Sequence, residues 1–437
     1  MSNASTLGNM SPQLLKVVER ARSEPEGRFH SLAHLIDVPA LARAYGRMRK
    51  DAAVGVDGVT KEQYGRELES NLQDLHARLV SMRYRHQPIL RVHIPKGQGK
   101  TRPIGISAFE DKLVQDAVRE VLEAIYEQDF SDCSYGFRPK RSAHDAVRTL
   151  DRIVHRGEVN WILEADIKSF FDSVDRSALS KMLQTRVADG SLLRLIGKCL
   201  HVGVLDGAEI TEPETGTAQG SVLSPILGNV YLHHVLDLWF EREVKPRLRG
   251  KATLIRYCDD FLIGFEREDD ARRVQAVLGK RMERFGLTLH PDKTRLLAFG
   301  KPSAGSSKGP ATFDFVGFTF YWKRARSGRW GMTCKTRSAS LRRAIVSVYD
   351  WCQRYRHQPV KVQHAALCRR IQGHFNYFGV SGNFRSLLLV AEAGKRSWYK
   401  WLCRRSQRKR LTWDRFDALM VRLTLPRPRI TVRIWGT

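Results

Sequence analysis

Cysteine is scarce in this chain: seven among 437 residues, an odd number, with no Cys-x-x-Cys pair. That argues against a disulfide framework and against a zinc ribbon or other Cys-rich zinc module, and for reduced thiols in an intracellular protein. No apolar run reaches the roughly 18 residues of a bilayer-spanning helix, and no signal-peptide pattern opens the sequence, so no membrane association is expected. Internal repeats are missing too. Acid is in deficit, with 46 Asp and Glu against 74 Lys and Arg, for a formal charge of +28. In an enzyme-sized chain such an excess points to a polyanion, nucleic acid ahead of a membrane surface. A hydrophobic share of 42% excludes a basic disordered tail, and the length allows two or three domains.

What is present gathers around Tyr257-Cys258-Asp259-Asp260. Runs of β-branched, aromatic and aliphatic residues flank the two carboxylates, from Thr253 to Arg256 and from Phe261 to Phe265. The pattern predicts a β-hairpin with the aspartates at its tip. By itself the stretch fits either a divalent-metal site or a solvated turn, because Asp is also a common turn residue. A third acid decides for the metal. Asp166 ends the apolar run Trp161-Ile162-Leu163-Glu164-Ala165, where a rigid strand end can aim a ligand. Glu164 falls on the opposite strand face from Ala165. Asp172 and Asp175 read as turn and helix-cap residues.

Three loops could serve such a centre. Arg91 to Ile106 reads as two strands joined by a glycine-rich basic turn with Lys96, Lys100 and Arg102, suited to a triphosphate or to backbone phosphates. Gly99-Lys100-Thr101 is not a Walker A motif, since Ile94 stands where its first glycine is needed. Gly216 to Pro225 is a small-residue loop, with Ser224 as a candidate N-cap, feeding a helix to about Glu243; Gln219 could reach a base or sugar edge. Tyr135 to Asp145 is basic and aromatic, with Arg138, Lys140 and Arg141 suited to a nucleic-acid strand, Ser142 capping a helix and His144 packed or capping.

Glu110 to Tyr126 predicts an amphipathic scaffold helix, and Lys301 to Pro310 a mobile connection. From about Thr333 the chain turns helical, basic and rich in Trp and Tyr. Eight Lys or Arg and no acid lie between Lys395 and Arg410, among them Lys395, Arg396, Lys400, Arg404 and Arg405, interleaved with Trp398, Tyr399 and Trp401. Cations interleaved with rings fit RNA. An extended basic tail is expected from Leu425 to Arg429. Physically, the three acids suit nucleotidyl transfer with two Mg²⁺ ions. Asp166 and Asp259 would bridge both ions, the Ile167 carbonyl would add a ligand, and Asp260 would complete the cage. Lys96 and Arg102 would neutralise the incoming triphosphate.

In these residues the chain resembles the reverse transcriptases, and among them the group II intron-encoded maturases. Tyr257-Cys258-Asp259-Asp260 is similar to the family's Tyr-x-Asp-Asp box. Glu164 to Asp172 resembles its first acidic box, Thr217 to Pro225 its dNTP-pocket segment, and Ile94 to Pro103 its fingers turn. Tyr135 to Pro139, Lys293 and Phe315 to Phe318 fall in further blocks, in family order over about residues 54–320.

The resemblance implies an α/β (α+β) right-hand polymerase with an antiparallel-sheet palm, helical fingers and a helical thumb. It divides the chain into an N-terminal extension (1–52), fingers (53–160), palm (161–332) and a thumb/maturase RNA-binding domain (333–437). It also implies Phe170 as the steric gate against a ribose 2′-OH, Gln219 and Lys293 at the dNTP, and Mg²⁺ with Mn²⁺ able to substitute. The expected partners are template or intron RNA, a DNA or RNA primer and dNTPs, in the bacterial cytoplasm or nucleoid. Two departures stand out: Cys258 replaces the alanine usual in intron enzymes, and no paired-cysteine His-Asn-His endonuclease module follows. A host-adopted role in DNA repair or phage defence and an RNA-binding splicing factor are the alternatives. The Phe170 gate argues against an RNA-dependent RNA polymerase.

Overall fold

The chain is organised around one helix whose polar side chains are as buried as its apolar ones. A computed structural model describes residues 10–97, 100–207, 209–211, 213–303, 306, 309–405 and 411–434. It opens with α1 (Pro12–Ser23), α2 (Val38–Arg47), α3 (Lys61–Tyr64) and α4 (Leu68–Val80), then the strands β1 (Ile89–Gly97) and β2 (Lys100–Ile106). The central helix α5 (Phe109–Asp129) buries Asp111, Gln115, Asp116, Glu120 and Glu123 beside its apolar residues. The amphipathic helix expected here thus buries much of its charged face as well, while Glu110, Lys112 and Glu127 stay partly exposed. Arg43 and Arg47 of α2 reach Glu120 and Asp116 at 3.0 and 2.6 Å, and Arg119 pairs with Asp116 and Glu123. Buried carboxylates need such partners. The N-terminal helices share one apolar cluster with residues as distant as Leu287, so residues 10–52 are not a separately packed unit.

Next come α6 (Ala143–His155), β3 (Trp161–Asp166), α7 (Phe170–Ser173), α8 (Arg176–Gln184), α9 (Gly190–Leu200), β4 (Val204–Asp206) and β5 (Glu209–Thr211). Ser142 caps α6 in a capping box with Asp145, and Asp175 caps α8. β4 pairs in parallel with β1, giving a sheet of order β2-β1-β4-β5. Val204–Asp206 and Glu209–Thr211, expected in the palm, thus join the strands of the fingers turn. Gln98 and Gly99 at that turn's tip lie outside the described residues, as do the side chains of Lys96 and Lys100.

The helix α10 (Ser224–Leu232) begins at Ser224 itself, whose hydroxyl donates to the Ala218 carbonyl instead of capping the helix. It continues through two π-helical turns, His233–Asp237 and Phe240–Val244, to a 3₁₀ turn at Lys245–Arg247. There follow β6 (Ala252–Tyr257), β7 (Asp260–Phe265), α11 (Glu268–Glu283), β8 (Arg295–Ala298), β9 (Phe313–Phe315), β10 (Phe318–Arg324) and β11 (Trp330–Thr336). The palm sheet has the order β6-β7-β3-β8 and is antiparallel throughout; β11-β10-β9 form a third sheet. The boundary expected at 332/333 cuts β11, so the change to helix comes after Thr336. Within the expected mobile connection, Ala304, Gly305, Ser307 and Lys308 lie outside the described residues.

The C-terminal helices are α12 (Ser338–Arg354), α13 (Val360–Phe378), α14 (Phe384–Cys403) and α15 (Trp413–Arg422), around a cluster that includes Trp351, Phe375, Trp398 and Trp401. The segment expected as an extended basic tail, Leu425 to Arg429, forms no helix or strand, with Leu425 buried in that cluster and Arg427 and Arg429 exposed. After Arg429 the amides of Thr431 and Val432 both donate to the Gly379 carbonyl, and Ile434 is buried against residues of α6 and the β11-β10-β9 sheet.

Candidate active site

β6 and β7 pair to Tyr257↔Asp260, leaving Cys258 and Asp259 as a two-residue turn with Cys258 at φ +59°. β7 also pairs with β3, and its first residue Asp260 lies opposite Asp166, the last residue of β3. Side chains of facing strand residues share a sheet face, so these carboxylates meet on one side. Asp259 is tied in by its carbonyl, which accepts the Ile167 amide at 3.4 Å. Residues more than ninety positions apart are thus joined by strand register.

The electrostatics match this crowding. Burial, with added like charge from Asp166, Asp259 and Glu164, pushes the Asp260 carboxyl up to about 7, although the Val316 amide opposes the shift from 3.3 Å. Burial and Asp166 likewise raise the Asp259 carboxyl. Glu164 is engaged by Arg295 at 2.8 Å.

Lys293 reaches this cluster, with its Nζ 2.7 Å from Asp166 Oδ2. The segment before it runs alongside the end of β3: the Lys168 amide donates to the Thr288 carbonyl and the His290 amide to that of Asp166. Arg102 and Gln219 also meet, Arg102 Nε donating to Gln219 Oε1 at 3.0 Å. A glycine is required beside them, since a Cβ on Gly220, at φ +111°, would stand 2.5 Å from the Gly105 carbonyl oxygen. Ile167 is buried beside Asp166.

Phe170 is only 3% exposed, turned into the core, and a Cβ on Gly228 of α10 would meet its ring at 2.9 Å. It presents no free ring surface for a gate. The adjacent Phe171 is half-buried, and its carbonyl accepts the Thr217 amide at 2.7 Å. The gate expected at Phe170 thus falls on a ring that is enclosed in the core, while Phe171 keeps part of its surface exposed; the two rings looked equivalent in sequence.

The basic residues divide. Arg138 is 4% exposed, and its guanidinium is used by Glu127 and by the carbonyls of Ser131 and Ser134. It braces the loop and is not free for a phosphate, which corrects its expected role. Arg141 pairs with Asp132 over the Tyr135 ring, and Lys140 is exposed. His144 is packed, with its Nε2 2.7 Å from the Tyr377 carbonyl. On α14, Arg396 is exposed, Lys395 pairs with Asp417 at 3.0 Å, and Lys400 and Arg404 lie over Trp401. Arg405 Nη2 donates weakly to the His357 carbonyl at 3.4 Å. Arg408, Lys409 and Arg410 lie outside the described residues.

Sequence reasoning missed a buried polar network behind the turn. Arg256, fully enclosed in β6, donates to Asp237 at 2.7 and 2.6 Å, to Asn229 Oδ1 at 3.1 Å and to the Cys258 carbonyl at 3.3 Å. Asn229 in turn donates to the Gly136 carbonyl at 2.9 Å. Burial alone would raise the Asp237 carboxyl, yet Arg256 holds it below the usual carboxylate range. The one sequence signal was an arginine at an alternating position of an otherwise apolar strand.

A divalent cation suits the donors, three hard carboxylates that destabilise one another when left unneutralised. Among the described residues, however, no three His, Cys, Asp or Glu side chains already form a closed metal cage. Lys293 engages Asp166 and the Val316 amide faces Asp260 instead. A cation would compete with Lys293 for Asp166.

Residues 94–320 match the family described as reverse transcriptase (RNA-dependent DNA polymerase). The chain is 31% identical over 348 residues to Protein YkfC of Escherichia coli (strain K12), covering 72% of this chain and 88% of that protein. It is 36% identical over 240 residues to the Group II intron-encoded protein LtrA of Lactococcus lactis subsp. cremoris, 52% of this chain but 40% of that protein's length. A shorter match, 35% over 106 residues, links it to Nuclear intron maturase 1, mitochondrial, of Arabidopsis thaliana, 24% of this chain and 15% of that protein. No described helix is long and apolar enough to cross a membrane.

Proposed function

The chain belongs to the reverse transcriptase family of RNA-directed DNA polymerases, and from that premise we propose that it is a group II intron-type enzyme. It extends the 3′ end of a DNA or RNA primer with dNTPs on an RNA template, and binds intron RNA to assist splicing. The observation that carries this reading is the cross-strand pairing of Asp166 with Asp260, Asp259 in the adjoining turn and Lys293 on Asp166.

Members of the family use divalent metal ions. Here Asp166, Asp259 and Asp260, with the Ile167 carbonyl, would hold a Mg²⁺ pair, Mn²⁺ being able to substitute. When bound, the pair supplies charge stabilisation for the attacking 3′ oxygen and the leaving pyrophosphate. Arg102 and Lys96 would neutralise the triphosphate, Gln219 would orient the nucleotide, and Phe171 would exclude a 2′-OH. Lys293 would keep the carboxylates compensated between turnovers, because an uncompensated acid cluster is costly. Lys140 and Arg141, with Lys395, Arg396, Lys400, Arg404 and Arg405, would contact phosphates. In this reading residues 53–160 with 204–211 act as fingers, the β6-β7-β3-β8 sheet as palm and residues from Ser338 as thumb.

Primer extension on poly(rA)/oligo(dT) with purified protein tests it. The wild type should incorporate dTTP only with a divalent cation added, and Asp166→Ala should incorporate none. Extension by Asp166→Ala at the wild-type rate would sink the reading.

A further inference from the structure

The best-held part of the catalytic turn is a peptide, not a carboxylate. We propose that Arg256 and Asp237 are a positioning pair that fixes the Cys258–Asp259 peptide and thereby aims the Asp259 carboxylate, so that turnover and cation affinity depend on it. The proposal rests on the polymerase reading above and deepens it.

Arg256 leaves β6 two residues before Cys258, and its side chain is wholly enclosed. Nε and Nη2 form a two-pronged contact with Asp237, a geometry that leaves the guanidinium plane little freedom. Nη1 is then aimed at two acceptors, Asn229 Oδ1 and the Cys258 carbonyl. That carbonyl belongs to the peptide that enters Asp259.

The strand is gripped from its other edge as well. The Arg256 amide donates to the Cys133 carbonyl at 2.7 Å, and the Tyr135 amide to the Arg256 carbonyl at 2.9 Å. Asn229 ties the same segment through Gly136. Gly136 lies so close that a Cβ there would stand 2.5 Å from the Cys258 amide nitrogen. The turn therefore sits between a backbone wall and a guanidinium.

A merely structural role would be served better by apolar residues. Replacing a buried ion pair with apolar side chains of similar volume is often neutral or stabilising, whereas removing one partner is strongly destabilising. Asp237 is also delivered by a π-helical turn, His233–Asp237, and π-turns cluster at functional sites. Apolar side chains cannot donate to the Cys258 carbonyl. That hydrogen bond is what the pair adds.

The test uses the full chain as wild type, Asp237→Asn and the double variant Arg256→Met/Asp237→Leu. Primer extension gives kcat and KM, thermal unfolding gives the midpoint, and electron paramagnetic resonance of free Mn²⁺ gives cation binding, with Asp166→Ala as the background. The double variant should unfold at or above the wild-type temperature, keep its KM for poly(rA)/oligo(dT), lose about 10- to 100-fold in kcat and bind Mn²⁺ several-fold more weakly. Asp237→Asn should show the same kcat and Mn²⁺ losses together with a lower midpoint. Wild-type kcat and Mn²⁺ affinity in the double variant would overturn the proposal, as would its failure to fold, which would assign the pair to stability. A wild type that extends no primer would sink the polymerase reading alone, since the Mn²⁺ titration still tests the pair.

Discussion

The palm hairpin and the α14 surface both carry charge, but they hold it in opposite ways. At the hairpin most of the charged groups have an assigned partner: Asp166 has Lys293, Asp260 faces the Val316 amide, and Arg256 has Asp237. Along α14 the cations are partly or fully exposed, resting on rings or on a single carboxylate, as Lys400 does on Tyr349 and Lys395 on Asp417. Chemistry at a 3′ end tolerates little displacement, so its groups are over-determined. A grip on a polyanion sums many interchangeable contacts, so each can be loose.

The widest gap should appear with Asp259→Ala, which should lower primer extension by about 10³-fold or more while leaving duplex affinity within about twofold of wild type in a filter-binding titration. Equal losses in rate and affinity would erase the distinction. Lys293→Met should come next, reducing kcat roughly 10-fold in steady-state extension with duplex affinity unchanged.

Asp260→Asn sharpens the contrast from the stability side. Because its carboxyl is pushed up to about 7 in the fold, the charged form is disfavoured there. The cation-free variant should therefore unfold a few degrees higher than wild type at pH 8, by differential scanning fluorimetry, while losing activity. No single α14 cation should behave so: Arg396→Ala should weaken duplex binding about twofold and lower the slope of log affinity against log salt by roughly 0.7–0.9, with kcat unchanged.

The smallest effect is on pH dependence and should be shared by both regions. Burial lowers His234, behind the palm, and His374 on α13 to about 4, below the ordinary value of 6.5. Below pH 6.5 the unfolded chain takes up protons that the folded one refuses. Stability should fall from pH 6.5 to 4, level off below that, and be fully present above 6.5. His234→Gln and His374→Gln should each flatten the curve of unfolding midpoint against pH. A curve unchanged by either would show that these rings are not buried neutral.

Alternation and turn chemistry made the hairpin at Asp259-Asp260 legible in sequence, and the strand end at Asp166 with it. Local periodicity has a local cause, so α6 and the helices after Ser338 were legible too. Partners brought in from elsewhere were not. The sequence around Arg138 reads as a phosphate-binding loop, and only packing shows its guanidinium spent on Glu127 and two carbonyls. The charged positions of α5 read as solvated, and only the docking of α2 shows them paired. Phe170 and Phe171 both pack against Gly228 and differ only in how far each ring is buried, a distinction with no sequence pattern.

By itself, then, the sequence determined the net charge, the elements and the three acids, because these depend on residue type and on spacing within a few positions. The tertiary structure alone decided that Asp166 faces Asp260, that Lys293 reaches Asp166, and that Arg256 is locked behind the turn by Asp237. Each of these joins segments far apart in the chain, and cross-strand register and buried-charge pairing exist only once those segments are packed together.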